Sequence, residues 1–303
     1  LTSLEDLGAA EPDLVFCCLP HATAQPVIAG LPAATRVVDL SADFRLRDVQ
    51  TYEVWYEVAH QAPALQAKAV YGLSEWYREA VREARLVANP GCYPTCALLP
   101  LLPLLHAGIV APEGLIVDAK SGVSGAGRSL TQPLLFNETA EGMRPYSVNQ
   151  HRHMAELHQE IVRACSPGAE AETQAETKTE TGPPPAPTFV PHLVPQRRGM
   201  ITTVYARLRD SATAAQARDC LAGFCADEPF LILLPEGEAP TTHGVRGSNH
   251  CHMALVPGGE GQLVVLSALD NLVKGASGQA LQNANLMVGL PETQGLTGPA
   301  LFP

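Results

Sequence analysis

Cys92 stands in the stretch VANPGCYPTCALLPLL, residues 87–102, between a glycine and a tyrosine. Cysteine is ordinarily a small buried hydrophobe. Here Leu86-Val87-Ala88 reads as the end of a buried strand and Pro90-Gly91 as turn chemistry. Pro94 suits the first turn of a helix, where a missing N–H costs nothing, and Gly108 is the matching stop signal. The thiol is therefore expected on a strand-to-helix turn, at the positive end of a helix dipole. That position favours the thiolate and exposes the sulfur. A reactive nucleophile and a buried structural cysteine are the two readings of this placement. Pro100 and Pro103 are expected to kink the helix.

A thiol nucleophile needs a partner that holds and returns protons, and imidazole titrates in the right range. The run Gln150-His151-Arg152-His153-Met154-Ala155-Glu156 offers one. His153 and Glu156 are three apart, hence neighbours on one face of a helix, so the carboxylate can orient the imidazole. His151 and Arg152 sit just before that helix. The bland alternative is an exposed, charged helix start. His250 and His252 flank Cys251 on one strand face, but metal binding needs a third ligand and none is suitably spaced; a polar sheet face is the simpler reading, and no metal is expected. The loop SGVSGAGRS, residues 121–129, follows a strand. Its glycines either cradle a phosphate on backbone N–H groups or only serve positive φ. Arg197-Arg198-Gly199 is either an anion clamp or a surface turn.

The elements that must position these groups change character along the chain. Residues 13–19 and 36–40 are short apolar runs of buried-strand type with a helix from Thr23 to Ala29 between them, a parallel α/β unit. Arg85 to Ala88 is a further strand. Ligands gather outside the carboxyl ends of such strands, where Pro20-His21, Ser41-Ala42-Asp43 and Cys92 fall. Arg45 follows in the same segment. From residue 115 onward, runs at 115–120, 202–208, 230–234, 252–256 and 262–268 alternate with turns, as an antiparallel or mixed sheet requires. Segments 154–165 and 212–226 read as helices against it. Residues 166–187, SPGAEAETQAETKTETGPPPAP, have no large apolar residue to bury and are expected to be a disordered insertion. A last helix, from about Ala276 to Met287, is expected to pack Leu281, Ala284, Leu286 and Val288 back on the first sheet.

Composition bounds the partners. The 303 residues are 46% hydrophobic, enough for two domains with real cores. A net charge of −11 argues against a nucleic-acid surface. The apolar runs are too short and too Pro-interrupted to span a membrane, and no basic start followed by an apolar stretch marks a signal peptide. The eight cysteines include an adjacent pair and no C-x-x-C, which fits a reduced, cytoplasmic protein better than a disulfide scaffold.

With these residues in view, the chain resembles the N-acetyl-γ-glutamyl-phosphate reductases of arginine biosynthesis. VANPGCYPT looks like their active-site motif. The resemblance runs on through LPHATAQ, VVDLSADFRL, YGLSEW, AKSGVSGAGR, HRHMAEL, PQRRGM, GSNHCHMAL and DNLVKGASGQALQNANLMVGL. It implies an α/β protein. A Rossmann-like parallel-sheet domain, 1–92 with 270–303, is N-terminally incomplete, and 93–269 form an α+β catalytic and oligomerisation domain of the semialdehyde-dehydrogenase type. It also implies NADP(H) as cofactor, a homo-oligomer (dimer or tetramer) and an acyl-phosphate substrate. In the implied mechanism Cys92 attacks the acyl phosphate and His153 is the acid/base, oriented by Glu156, with His151 as its substitute. Pro20, Ser121, Gly122, Gly125 and Asn285 border the cofactor, while Ser41, Arg45, Arg152 and Arg198 bind substrate.

The chain departs from the family pattern in places. Cys96 stands where alanine or glycine is usual, Ala155 where proline is common, and the 166–187 insertion is not shared. The chain opens on Leu1 rather than Met, without the first strand and Gly-rich cofactor loop. A polypeptide starting there is expected to bind NADPH weakly. The rival readings are a sister reductase of a longer or carrier-linked acyl phosphate in lysine biosynthesis, a cysteine hydrolase, and a non-catalytic oligomeric remnant.

Overall fold

A computed structural model describes residues 11–166 and 182–301. In chain order its strands are β1 (Leu14–Cys17), β2 (Arg36–Asp39), β3 (Val70–Tyr71), β4 (Leu86–Ala88), β5 (Val110–Gly122), β6 (Arg144–Pro145), β7 (Thr188–Val194), β8 (Met200–Leu208), β9 (Leu231–Leu233), β10 (Cys251–Pro257) and β11 (Gln262–Leu269). Its longer helices are α1 (Ala24–Ala29), α2 (Val49–Tyr56), α3 (Ser74–Glu83), α4 (Cys92–His106), α5 (His153–Ala164), α6 (Ala214–Cys225) and α7 (Gly278–Met287). Two compact units result, one from the chain up to Gly91 with Ala276–Leu296, the other from Cys92–Gly275 with the residues from Thr297 onward.

The first unit holds a four-stranded parallel sheet in the order β1-β2-β4-β3. Val37, Val38 and Val87 are fully buried, as strands covered on both faces require. Cys17, Ala24, Ile28, Val37, Phe44, Leu86 and Ala88 share one apolar cluster that seats α1 on the sheet. The carboxyl end of β2 is tied down by its own side chains. Asp39 accepts from the Ser41 amide at 3.0 Å and the Ser41 hydroxyl at 2.7 Å. Burial pushes the Asp39 carboxyl up to about 6, with these two bonds pulling the other way. The buried Asp43 accepts from the Ala22 amide, from the Ala24 amide, which α1 would otherwise leave unpaired, and from the Tyr52 hydroxyl.

Helix α7 packs back on the first sheet, at β2, and against α3, as expected. Ala284 and Leu286 are buried there, but Leu281 is only half-buried and Val288 is exposed. Side-chain amides add to the seat. Gln279 donates to the Gly72 carbonyl and the Ser74 hydroxyl, and Asn283 donates to the Gly72 carbonyl and to Asn89 Oδ1. Every residue of this network is buried, and its side-chain amide N–H groups all find acceptors, which favours one register for α7.

The second unit holds a seven-stranded mixed sheet, order β6-β7-β5-β8-β11-β10-β9, in which β5–β7 and β9–β10 are parallel and the other pairs antiparallel. Helix α4 packs over β5, β8 and β11, α6 over β9 and β10, and α5 against α4. The opposite sheet face is bare of these helices and leaves Ile116, Tyr205, Ile232 and Val256 exposed. Residues 167–181, most of the insertion expected to be disordered, lie outside the described residues.

The two prolines expected to kink α4 do not interrupt it. The helix runs without interruption from Cys92 to His106 through both prolines and ends at Gly108, whose φ is +65°. Pro100 has no N–H to offer the Cys96 carbonyl. The Ser267 hydroxyl of β11 donates to that carbonyl at 2.6 Å instead, which removes the main penalty of the proline.

Candidate active site

Cys92 is the first residue of α4, directly after the β4 strand and the Asn89-Pro90-Gly91 turn. It is half-buried. The turn ahead of it is held by the Asn89 amide, which donates to the Asp39 carbonyl at 2.8 Å, and by the Asn89 side chain, which donates to the Ala276 carbonyl at 3.2 Å. Val273–Ser277 forms a π-helical turn, and a Cβ built on its Gly275 would come within 2.9 Å of the Cys92 Cβ. Only glycine lets that turn lie against the thiol-bearing residue.

Tyr93, the next residue, links the thiol to the histidines. Its buried ring lies 5.7 Å from the His151 ring and 5.9 Å from the His153 ring, edge-on to both. Its hydroxyl donates to the His192 carbonyl and accepts from Tyr146, each at 3.2 Å. Burial raises both phenols, Tyr146 to about 12, and the nearby Cys92 charge pushes the same way, so neither tyrosine ionises under ordinary conditions.

His153 opens α5, and its Nε2 stands 3.9 Å from Oε1 of the fully buried Glu156. That is within ion-pair reach but longer than a hydrogen bond. His151 is in another state. Desolvation, reinforced by the His153 charge, pushes it down to about 3. The two imidazole ring centres lie 4.6 Å apart. Arg152 is exposed beside them, and its charge is felt at His151.

The other expected site residues divide. Pro20 is exposed beyond β1. Ser121 is buried at the end of β5 and reaches the Tyr93 phenol. The glycine loop is not a phosphate cradle through the amides of residues 122–124. Those of Gly122, Val123 and Ser124 donate to the carbonyls of Gly199, Gln196 and Arg197. Gly122 and Gly125 are required by packing, since a Cβ would meet the Arg198 backbone at 2.8 Å and Ser121 Oγ at 2.6 Å. Asn285 spends its side-chain N–H groups on the carbonyls of Glu292 and Gln294, fastening the turn after α7. Ser41 is engaged with Asp39, and Arg45 donates to the Leu40 carbonyl at 3.1 Å.

Arg198 is ion-paired rather than a loose surface turn. Its Nε lies 2.8 Å from Oδ2 of Asp270, a fully buried carboxylate that also accepts from the Gly247 and Leu272 amides. Arg198→Met should therefore cost about 3 kcal/mol of stability, because it strands a buried charge. Urea unfolding measures this. A midpoint unchanged from wild type, together with a selective rise in substrate KM, would return Arg198 to the substrate site.

Sequence reasoning missed Tyr146, Phe189 and Gly275. Tyr93 carried a signal through its place beside Cys92. Tyr146 lies in an irregular segment and Phe189 in an ordinary alternating strand, with nothing local to mark either. Among the described residues no cluster of three metal-ligating side chains occurs, and no helix is long and apolar enough to cross a membrane.

Comparison with known proteins covers nearly the whole chain. The sequence family described as "Semialdehyde dehydrogenase, NAD binding domain" matches residues 2–84, and "Semialdehyde dehydrogenase, dimerisation domain" matches residues 92–271. A probable N-acetyl-gamma-glutamyl-phosphate reductase, chloroplastic, of Arabidopsis thaliana is 47% identical over all of this chain and 72% of its own length. The N-acetyl-gamma-glutamyl-phosphate reductase of Ruegeria pomeroyi is 48% identical over all of this chain and 83% of its own. In fold, aspartate semialdehyde dehydrogenase II of Vibrio cholerae matches with a TM-score of 0.64 at 17% identity, covering 91% of this chain and 79% of that one. The Candida albicans aspartate semialdehyde dehydrogenase, solved with NADP, matches at 0.61 and 14% identity, covering 91% and 77%.

Proposed function

Since the chain belongs to the N-acetyl-γ-glutamyl-phosphate reductase family, we propose that Cys92, His153 and Glu156 carry out the family's reaction in it. The protein is an NADP-dependent oxidoreductase of arginine biosynthesis. It reduces N-acetyl-γ-glutamyl phosphate to N-acetylglutamate 5-semialdehyde and releases phosphate. The observation that supports the residue roles best is Tyr93, which follows the thiol in sequence and touches both imidazoles in space.

The Cys92 thiolate attacks the acyl carbon. A C–S bond forms, the C–O bond to phosphate breaks, and phosphate leaves with the electron pair and takes up a proton. NADPH, when bound, supplies the hydride that turns the resulting thioester into a thiohemiacetal. His153, as imidazolium held by the Glu156 carboxylate, gives its proton to the developing alkoxide. It takes that proton back as the C–S bond breaks and the semialdehyde departs. Arg152, exposed beside the imidazoles, is the cation placed to meet the substrate's anionic groups. For the cofactor, the first unit's parallel strands end together at Cys17, Asp39 and Ala88, with the exposed turn at Pro20 beyond β1, an arrangement that suits a dinucleotide.

The same reading covers partner and place. A second copy of the chain would cover the bare face of the seven-stranded sheet, where Ile116, Tyr205, Ile232 and Val256 form the kind of apolar surface that sheets bury. A cytoplasmic location accords with eight cysteines, none in a disulfide. The test is phosphate-dependent oxidation of N-acetylglutamate semialdehyde, followed as NADPH formation. Turnover that needs both phosphate and NADP⁺ is expected. Hydrolysis without NADP⁺ would make the protein a cysteine hydrolase, and preference for a longer or carrier-linked substrate would move it to the lysine branch.

A further inference from the structure

Two imidazoles lie against Tyr93, the residue that follows the thiol, and that is one more than proton transfer requires. We propose that His151 is the fixed N–H donor of the site: its Nδ1 accepts the His153 amide, which places its own hydrogen on Nε2, and that Nε2–H binds the carbonyl oxygen of the acyl group carried by Cys92. This rests on the thioester chemistry proposed above.

The tautomer follows from the hydrogen bond. The His153 backbone N–H donates to His151 Nδ1 at 3.1 Å, so that nitrogen is an acceptor and the ring's one hydrogen sits on Nε2. The Met154 amide donates to the His151 carbonyl at 2.8 Å, so His151, one residue ahead of the N-cap Arg152, takes up amides of the helix start as a cap would. Caps are normally Ser, Thr, Asp or Asn, whose short oxygens suffice. An imidazole here brings a second polar atom that capping does not use, and the structure gives Nε2 no hydrogen-bond partner among the described residues.

The ring is also held in one plane. Tyr93 stands at 5.7 Å and 90°, Tyr146 at 5.5 Å and 69°, Phe189 at 5.6 Å and 84°, and His153 at 4.6 Å and 61°. The charged or titratable groups facing it are Arg152 just ahead of α5, His153 and Glu156 from α5, Tyr93 from α4, and Tyr146 from the segment after β6. Phe189 of β7 is uncharged. Burial and the His153 charge push the ring's pKa down and favour its neutral form. His153, with its buried carboxylate, can be the group that cycles a proton. A neutral imidazole that polarises a carbonyl next to a separate base divides the work between two side chains.

Two substitutions separate the atoms. In His151→Asn the side-chain oxygen can still cap α5, but no donor reaches the place of Nε2. In His151→Gln a terminal amide can reach that place, but the cap is lost. His151→Asn should unfold at the wild-type urea midpoint while kcat falls about 10²–10³-fold, the loss seen when one oxyanion donor is removed. His151→Gln should be less stable and keep kcat within about ten-fold of wild type. Both should retain the acid limb of the pH–rate profile. Wild-type kcat in His151→Asn would reduce the residue to a cap, and loss of the acid limb would make it the base; either overturns the proposal. Nitrogen-15 NMR of histidine-labelled protein without substrate decides the tautomer independently of turnover. The Nε2–H form should persist between about pH 5 and 8, and an Nδ1–H or doubly protonated ring would refute the assignment. Failure of the wild type to form NADPH with phosphate would strike the reductase reading and leave the NMR result standing by itself.

Discussion

Cys92→Ser protein should fold as the wild type does and lose more than about 10³-fold in phosphate-dependent NADPH formation. The argument is local. Cys92 begins a 15-residue helix directly after a turn that Asn89 fixes from both sides, so the sulfur sits where the helix amides favour an anion. A serine hydroxyl in the same place ionises far above neutral pH and attacks an acyl phosphate poorly. The substitution removes little packing, because the residue is only half-buried and α4 is anchored by Leu98, Leu99, Leu101 and Leu102 below it. A variant with unchanged far-UV circular dichroism that keeps more than about a tenth of the wild-type rate would show that another group attacks the substrate, since acid–base assistance alone supplies only about 10²–10⁴-fold.

His153→Asn carries the second large effect, a loss of about 10²–10⁴-fold in kcat with substrate binding largely kept. Asparagine preserves polarity and approximate shape but cannot cycle a proton. Glu156→Gln should cost less, because Glu156 acts through the imidazole it faces at 3.9 Å. The order His153→Asn, then Glu156→Gln, is the expected ranking of severity in kcat measured at saturating substrate. A His153→Asn enzyme within about ten-fold of wild type would remove His153 from the proton path, and the His153–Glu156 pair would then be an ordinary helix-start ion pair.

Much of this molecule was legible one segment at a time. The Pro-Gly turn before Cys92, the stop at Gly108, the strand, helix, strand spacing from residue 13 to 40 and the i,i+3 pair His153–Glu156 are all local. Each depends on backbone dihedrals, amide availability or helix periodicity that neighbouring residues determine. The resemblance of the motif set to one reductase family rested on the same short stretches, and the identities of 47–48% agree with it.

Partner choice between distant side chains was the tertiary structure's to decide. Pro100 is tolerated because Ser267, 171 residues beyond Cys96, supplies the hydroxyl that the Cys96 carbonyl lacks. Arg198 belongs to Asp270, Asn285 to the turn at Glu292 and Gln294, and the amides of residues 122–124 to the turn at residues 196–199. A sequence shows that these groups can donate; only packing shows to whom, because a buried donor takes whichever acceptor the fold brings within 3 Å. The same holds for the two histidines. By type both were candidates for the base, and only the i,i+3 spacing to Glu156 favoured His153, with His151 as its substitute. They differ because Tyr93, Tyr146 and Phe189, drawn from three separate segments, enclose one ring, while a buried carboxylate one helical turn away faces the other.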